Sequence, residues 1–166
     1  MNGAALADSV RDVTSPAVRR AGPADVDALV DLRAHMFAAM GAAAGDPAWQ
    51  ANARTWFTDR IADPDYCLVV IAVEHTVVAC AVGAVRDVAP SPSAPQGRDI
   101  LVNNVSTHPD FRGRGYGRLA FEAVMAWARE SGVQRAELMA TEVGRGMYER
   151  AGFRATAYPA MRAHLH

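Results

Sequence analysis

Arg112-Gly113-Arg114-Gly115-Tyr116-Gly117 puts glycine at every second position between an apolar run, Ile100 to Val105, and an amphipathic run, Leu119 to Ala128. Glycine there permits left-handed backbone angles and leaves no Cβ to keep a ligand away from the N–H groups. A helix that starts at this point adds unpaired donors and the positive end of its dipole. Free amides beside Arg112, Arg114 and Arg118 are therefore a predicted seat for a polyanion, most simply a pyrophosphate.

Other residues suited to chemistry are few. Cys67 and Cys80 are the only cysteines and lie inside apolar, strand-like runs, which predicts buried reduced thiols and a cytoplasmic protein. They offer too few ligands for a metal, and His164 and His166 form no metal spacing with other residues, so no metal is expected. Gly115-Tyr116-Gly117-Arg118-Leu119-Ala120 also fits the dinucleotide fingerprint G-x-G-x-x-A, with Glu137 near the acidic position. That fold places the fingerprint on its first strand and continues with several parallel strands, and too little chain follows Ala120 for them.

The elements around the turn follow from periodicity. Met1 to Thr14 reads as a loose tail and residues 15–166 as a single domain. Val18-Arg19-Arg20 forms a short first strand, and Ala24 to Met40 an amphipathic helix with Val26, Leu29, Val30, Arg33, Phe37 and Met40 at helical spacing. A second helix starts near Asp46-Pro47 and runs toward Asp63-Pro64. Tyr66 to Val73 and Thr76 to Asp87 form a hairpin about Glu74-His75, and Ala89 to Gly97 is a proline-rich loop. Asp99 to Thr107 is a strand that leads into the glycine turn and a helix to about Glu130. Gln134 to Ala140 is a further strand, parallel to it through a right-handed crossover. Val143 to Ala151 is a short helix, and Phe153 to Tyr158 and Met161 to Leu165 read as two last strands. The expected class is α/β.

Composition bounds the partners. With 17 basic and 18 acidic residues the net charge of −1 supplies no overall field for nucleic acid or an acidic membrane surface. No apolar segment approaches the roughly 18 residues that span a bilayer.

A second block joins the glycine turn to a known pattern. Arg112, Gly115 and Gly117 match the signature of Gln or Arg, two residues, Gly, one residue, and Gly or Ala, and Val105 to Phe111 resembles the strand leading into it. Met147-Tyr148-Glu149-Arg150-Ala151-Gly152-Phe153 is similar to a "LYER-GF" segment at the right distance downstream. On these residues the chain resembles the GNAT superfamily of acyl-CoA N-acyltransferases. The resemblance implies a mixed, mainly antiparallel sheet of about six to seven strands flanked by helices. It also implies that the amides of Arg114 through Arg118 hold the pyrophosphate of acetyl-CoA, and that the pantetheine arm lies along Val105, Ser106 and Thr107. Tyr148 then matches the residue taken as acid or hydrogen-bond donor to the departing sulfur, and otherwise packs with Phe153.

The resemblance carries an activity: acetyl transfer to an amine of a small molecule or protein, by direct attack in a ternary complex. Many relatives carry Asn where Thr141 stands here, contacting the pantetheine arm, and Thr141 can still donate a hydrogen bond. Asn103 and Asn104 stand where some relatives have an acid, and an amide cannot act as base. Glu142, His35 and Glu74 remain open for that role, unless the acceptor arrives already neutral. Met36, Phe37, Met40, Trp49, Trp56 and Phe57 lie where the family builds its acceptor pocket, most of them as core. A homodimer is a further expectation from the resemblance. The competing class is a non-catalytic acyl-CoA binding or sensing module.

Overall fold

Alternation along the hairpin decides which face each strand residue meets. The computed structural model describes residues 15–42 and 45–165. In it β2 (Tyr66–Val73) sends Cys67, Val69 and Ile71 to one side and Leu68 and Val70 to the other, and all five are buried. A strand covered on both faces reads as an unbroken apolar run rather than an alternating one. β1 (Ala17–Arg20), β2, β3 (Thr76–Asp87) and β4 (Arg98–Thr107) are antiparallel neighbours in that order, and β5 (Ala136–Glu137) pairs parallel to β4.

Two helices cover each side. α1 (Val26–Ala39) and α2 (Ala48–Arg60) bring Leu29, Val30, Leu32 and Phe57 onto Leu68, Val70, Cys80 and Val82. α3 (Tyr116–Glu130) lays Ala120, Phe121, Val124 and Ala128 on the opposite face, and α4 (Glu142–Arg150) adds Tyr148. Gly83 makes the α3 contact feasible, since a Cβ there would stand 2.7 Å from the Trp127 ring and 2.8 Å from a Val124 methyl. The hairpin turn holds both Glu74 and His75 at positive φ, 48° and 69°, the hand that two-residue hairpins require.

Three strand expectations change. The span Gln134 to Ala140 pairs only at Ala136 and Glu137, and neither Phe153 to Tyr158 nor Met161 to Leu165 forms a strand. Tyr158, Met161 and Leu165 are 86%, 92% and 94% exposed, so the sheet has five strands among the described residues. Apolar alternation makes a strand only where a partner edge exists, and β5 offers two residues of edge. The expected tail, Met1 to Thr14, lies outside the described residues.

A charged cluster fixes the start of β4. Asp99 is fully buried and accepts from Arg86 Nε (2.7 Å) and Nη2 (2.8 Å), and from Arg135 Nη2 (2.8 Å). Arg86 stands opposite Asp99 in the β3–β4 register and also donates to Glu137 Oε2 at 2.8 Å. β3, β4 and β5 are thus tied at one point, with Arg135 reaching Ser93 Oγ in the proline loop at 3.0 Å.

Burial alone would raise the Asp99 pKa, but the hydrogen bonds from Arg86 and Arg135 outweigh it and hold the carboxyl below its ordinary value. A carboxylate lowered in this way stabilises the fold above its unfolded pKa, near 4, and ceases to do so as pH falls through the folded value. Both arginines keep about a third of their side chain in water, so the Asp99→Asn cost falls at the low end for a broken buried pair, about 3 kcal/mol. Urea unfolding at pH 7 should show that loss, and the gap to the parent should narrow below about pH 4. A gap that does not depend on pH would contradict this assignment.

Candidate active site

β4 leaves its neighbour after two pairs. Ile100 faces Ala136 and Leu101 faces Glu137, and beyond Leu101 no β5 residue pairs with β4, so the edge from Val102 to Thr107 opens on that side. On the other side β3 follows β4 to the end, with Ala79 facing Thr107, but the register slips between Cys80 and Val82. Asn104 and Val105 together oppose Ala81, a bulge, and Asn104 takes φ +53°. Asparagine is among the few side chains that tolerate this conformation.

The bulge is anchored from the α1 side. Cys80 Sγ donates to the Asn104 carbonyl at 3.3 Å, Asn104 Nδ2 lies 3.4 Å from Cys80 Sγ, and Arg33 Nη1 donates to Asn104 Oδ1 at 3.0 Å. Ser106 Oγ donates to the Leu32 carbonyl at 2.7 Å. The Ser106 hydroxyl is thereby occupied, while the main chain of Val105, Ser106 and Thr107 runs along the open edge.

The glycine turn follows directly. Pro109–Phe111 forms a single 3-10 turn, Gly113 and Gly115 adopt φ +76° and +81°, and Gly115 caps α3 in the left-handed conformation. Apart from its chain neighbours, no atom of the described residues lies within 4 Å of where a Cβ of either glycine would sit, so backbone conformation, not crowding, selects glycine there. Gly117 differs: its Cβ would stand 3.0 Å from Thr107 Oγ1, because the start of α3 rests against the end of β4.

Leu119 donates to the Gly115 carbonyl at 3.0 Å, and among the described residues the amides from Gly113 to Arg118 find no protein acceptor. Six amides on one bend stand ready for an anion. The cations divide: Arg118 lies 3.5 Å from Glu122, Arg112 Nε donates to the Thr107 carbonyl, and Arg114 stacks over Phe111 at 5.2 Å. Tyr116 is the first residue of α3 and packs against the core on the α3 side of the sheet.

α4 follows β5 and joins the α3 side of the sheet through Tyr148. Its first turn is capped by Thr141, whose Oγ1 accepts from the Gly144 amide at 3.2 Å and keeps its own proton to donate. Tyr148 is 9% exposed, with its ring 5.2 Å from Phe121 and 6.3 Å from Phe153, so packing with Phe153 does occur. Its hydroxyl has no protein partner among the described residues and is not among the atoms sealed from solvent. Burial raises its pKa above the ordinary 10.0.

A family model described as the acetyltransferase (GNAT) family matches residues 28–153. The chain belongs to the GNAT acetyltransferase family. Its members are acetyl-CoA-dependent acyltransferases that act on amines, and this chain is an enzyme of that class. The structure is similar to a GCN5-related N-acetyltransferase from Ralstonia eutropha JMP134, with TM-score 0.80 and 28% identity over 90% of this chain and 99% of that one. It is also similar to a predicted acetyltransferase from Clostridium acetobutylicum solved with acetyl-CoA, with TM-score 0.81, 21% identity, and 90% and 96% covered. The fold is shared with glucosamine-6-phosphate N-acetyltransferase from Arabidopsis thaliana as well, with TM-score 0.70, 16% identity, and 90% and 98% covered. No curated protein matches the chain.

The candidate bases separate in space. Glu142 opens α4 and is exposed. Glu74 lies on the hairpin turn beside Ala17 and Arg19 of β1, on the far side of the sheet from the β4 opening. His35 packs its ring 4.8 Å from His108, just past the end of β4. Of the apolar candidates, Phe57 is core, Met40 is 53% exposed, Phe37 meets Trp49 at 5.7 Å, and Trp56 lies under Arg60. Among the described residues no group of histidine, cysteine or acidic side chains has the geometry to hold a metal, and no helix is long and apolar enough to cross a membrane.

Sequence reading missed the left-handed bulge and the contact of Arg33 with it. The available signals were an Asn-Asn pair inside a strand and a cation standing on an apolar helical stripe.

Cys80 cannot serve as an acyl carrier in its folded setting. Burial pushes its thiol up to about 12, against the smaller lowering effects of the Ser106 backbone, Asn104 and Arg33. Iodoacetamide at pH 8 should leave Cys80 unmodified in the native chain and label it after unfolding in urea, as read by mass spectrometry. Rapid native labelling would contradict the sealed, protonated thiol.

Proposed function

We propose that this chain transfers an acetyl group from acetyl-CoA to an amine by direct attack within a ternary complex. The observation that carries the reading is the run of unpaired amides from Gly113 to Arg118 beside the open edge of β4. Those amides, with Arg112 and Arg114 close by, suit the pyrophosphate. The main chain of Val105, Ser106 and Thr107 suits the amides of the pantetheine arm, which bind an open edge as a strand would. Thr141 has a hydroxyl proton to give the same arm.

The chemistry needs a donor at the departing sulfur. The acceptor nitrogen attacks the thioester carbon, the new C–N bond forms as the C–S bond breaks, and the thiolate takes a proton. Tyr148 is the candidate donor, because burial keeps its hydroxyl protonated and that hydroxyl has no protein partner among the described residues. No side chain is assigned as base; the attacking amine is neutral, and its proton leaves to solvent.

Release of free thiol from acetyl-CoA over a panel of amines tests this reading. Tyr148→Phe should cut kcat by about 10- to 100-fold and leave KM for acetyl-CoA within about threefold. Unchanged kcat removes the tyrosine from the chemistry, and tight binding without turnover favours a sensing module. Because the Tyr148 pKa is raised, its acid form persists above pH 10, so kcat/KM for the amine should climb with pH through 9 as the acceptor deprotonates. A decline between pH 7 and 9 would contradict a buried tyrosine acid.

A further inference from the structure

Arg33 takes no part in the steps above. It projects from α1 four residues before Phe37, and its guanidinium carbon lies 4.8 Å from the centre of the Phe37 ring. Its Nη1 is committed to Asn104 Oδ1, and Asn104 is itself buried and held against Cys80 at the β4 bulge. The plane and direction of the guanidinium are thereby set by two contacts, one aromatic and one polar.

Its other side is unmatched. Among the described residues no carboxylate lies within ion-pair distance of Arg33, whereas Arg19, Arg86, Arg98 and Arg135 each hold an aspartate. Among the described residues Nε and Nη2 have no protein acceptor, yet neither is sealed from solvent. These two N–H groups form the fork that receives a carboxylate or phosphate side-on. Burial has already stripped part of the hydration from this cation, which lowers its pKa from the ordinary value. An anion arriving there gains a charge-assisted pair at a site whose desolvation cost is partly met by the fold.

Location gives the fork its meaning. Arg33 reaches the bulge from the α1 face, opposite to the face where α3 supplies the unpaired amides. An acceptor held there approaches β4 from the side that the coenzyme does not occupy.

We propose that Arg33 sets the acceptor class: a small amine that also bears a carboxylate or phosphate, paired with the Nε–Nη2 edge of the guanidinium beside the β4 bulge. The assignment rests on the acetyl-transfer reading given above. Asn104 is a positioning residue for that fork, because its amide oxygen fixes Nη1.

Matched acceptors test the proposal on the full chain. β-Alanine against β-alaninamide reports a carboxylate, and O-phosphoethanolamine against ethanolamine reports a phosphate. The anionic member of at least one pair should be favoured by about tenfold or more in kcat/KM. Arg33→Gln should bring that ratio to about one by raising the acceptor KM, with KM for acetyl-CoA changed less than about twofold, and Arg33→Lys should keep part of the preference. A ratio that survives Arg33→Gln, a preference for the neutral members, or an equal loss for charged and neutral acceptors would overturn it. Binding of acetyl-CoA with no charge preference, or with no turnover of either series, removes this proposal alone. Absence of acetyl-CoA binding by the parent chain removes the transfer reading and this proposal with it.

Discussion

The two-residue pairing of β4 with β5 is the constraint on which the rest of the structure depends. Asp99, gripped by Arg86 and Arg135, closes the two strands at Ile100 and Leu101, and after that point they part. Were the ladder to continue, the edge of Val105 to Thr107 would be filled by protein and nothing could bind along it. Instead the buried carboxylate concentrates the strand pairing at one end. Beyond Leu101 no β5 residue pairs with β4, and that side of the strand is left without a ladder partner.

The other constraint on β4 works at its far end. Asn104 in the left-handed conformation shifts the register against β3, and Cys80, Arg33 and Leu32 hold Asn104 and Ser106 from the α1 side. The strand then delivers the chain to a turn where Gly113 and Gly115 have positive φ and Gly117 leaves room for Thr107. Strand, bulge and turn therefore form one continuous device, with amides free at the bend and main chain free along the edge. Tyr148 on α4 packs on the same side of the sheet as α3, its ring against Phe121 and Phe153 and its hydroxyl without a partner among the described residues. Arg33 reaches the same bulge from the opposite face, as a cation that Asn104 and Phe37 orient and that has no carboxylate partner among the described residues.

Much of this was legible in the residues because local chemistry and global fold agree there. The hairpin about Glu74-His75, the strand into the glycine turn and the helix to Glu130 follow from periodicity and punctuation, and the structure has them at nearly those bounds. The turn itself was legible because glycine at alternate positions has few other uses. The C-terminal strands were misread because alternation records a willingness to pair, and β5 offers only two residues of edge. The bulge was unreadable because Asn103-Asn104 fits a regular strand or a slipped one equally well, and only packing against Cys80 and Arg33 selects the second. The Asp99 cluster left a trace, a carboxylate within an apolar run, but its partners lie on β3 and just before β5, and sequence spacing does not reveal such cross-strand registers.

The central claim is that main-chain donors at one bend take the diphosphate of the coenzyme. The most direct measurement is an amide NMR titration of the 15N-labelled chain with acetyl-CoA. The resonances from Gly113 to Arg118 should move most and move downfield, as amide protons do on donating to an anion, with smaller shifts along Val105 to Thr107. Saturable binding whose largest shifts lie elsewhere, or no binding at all, would contradict it.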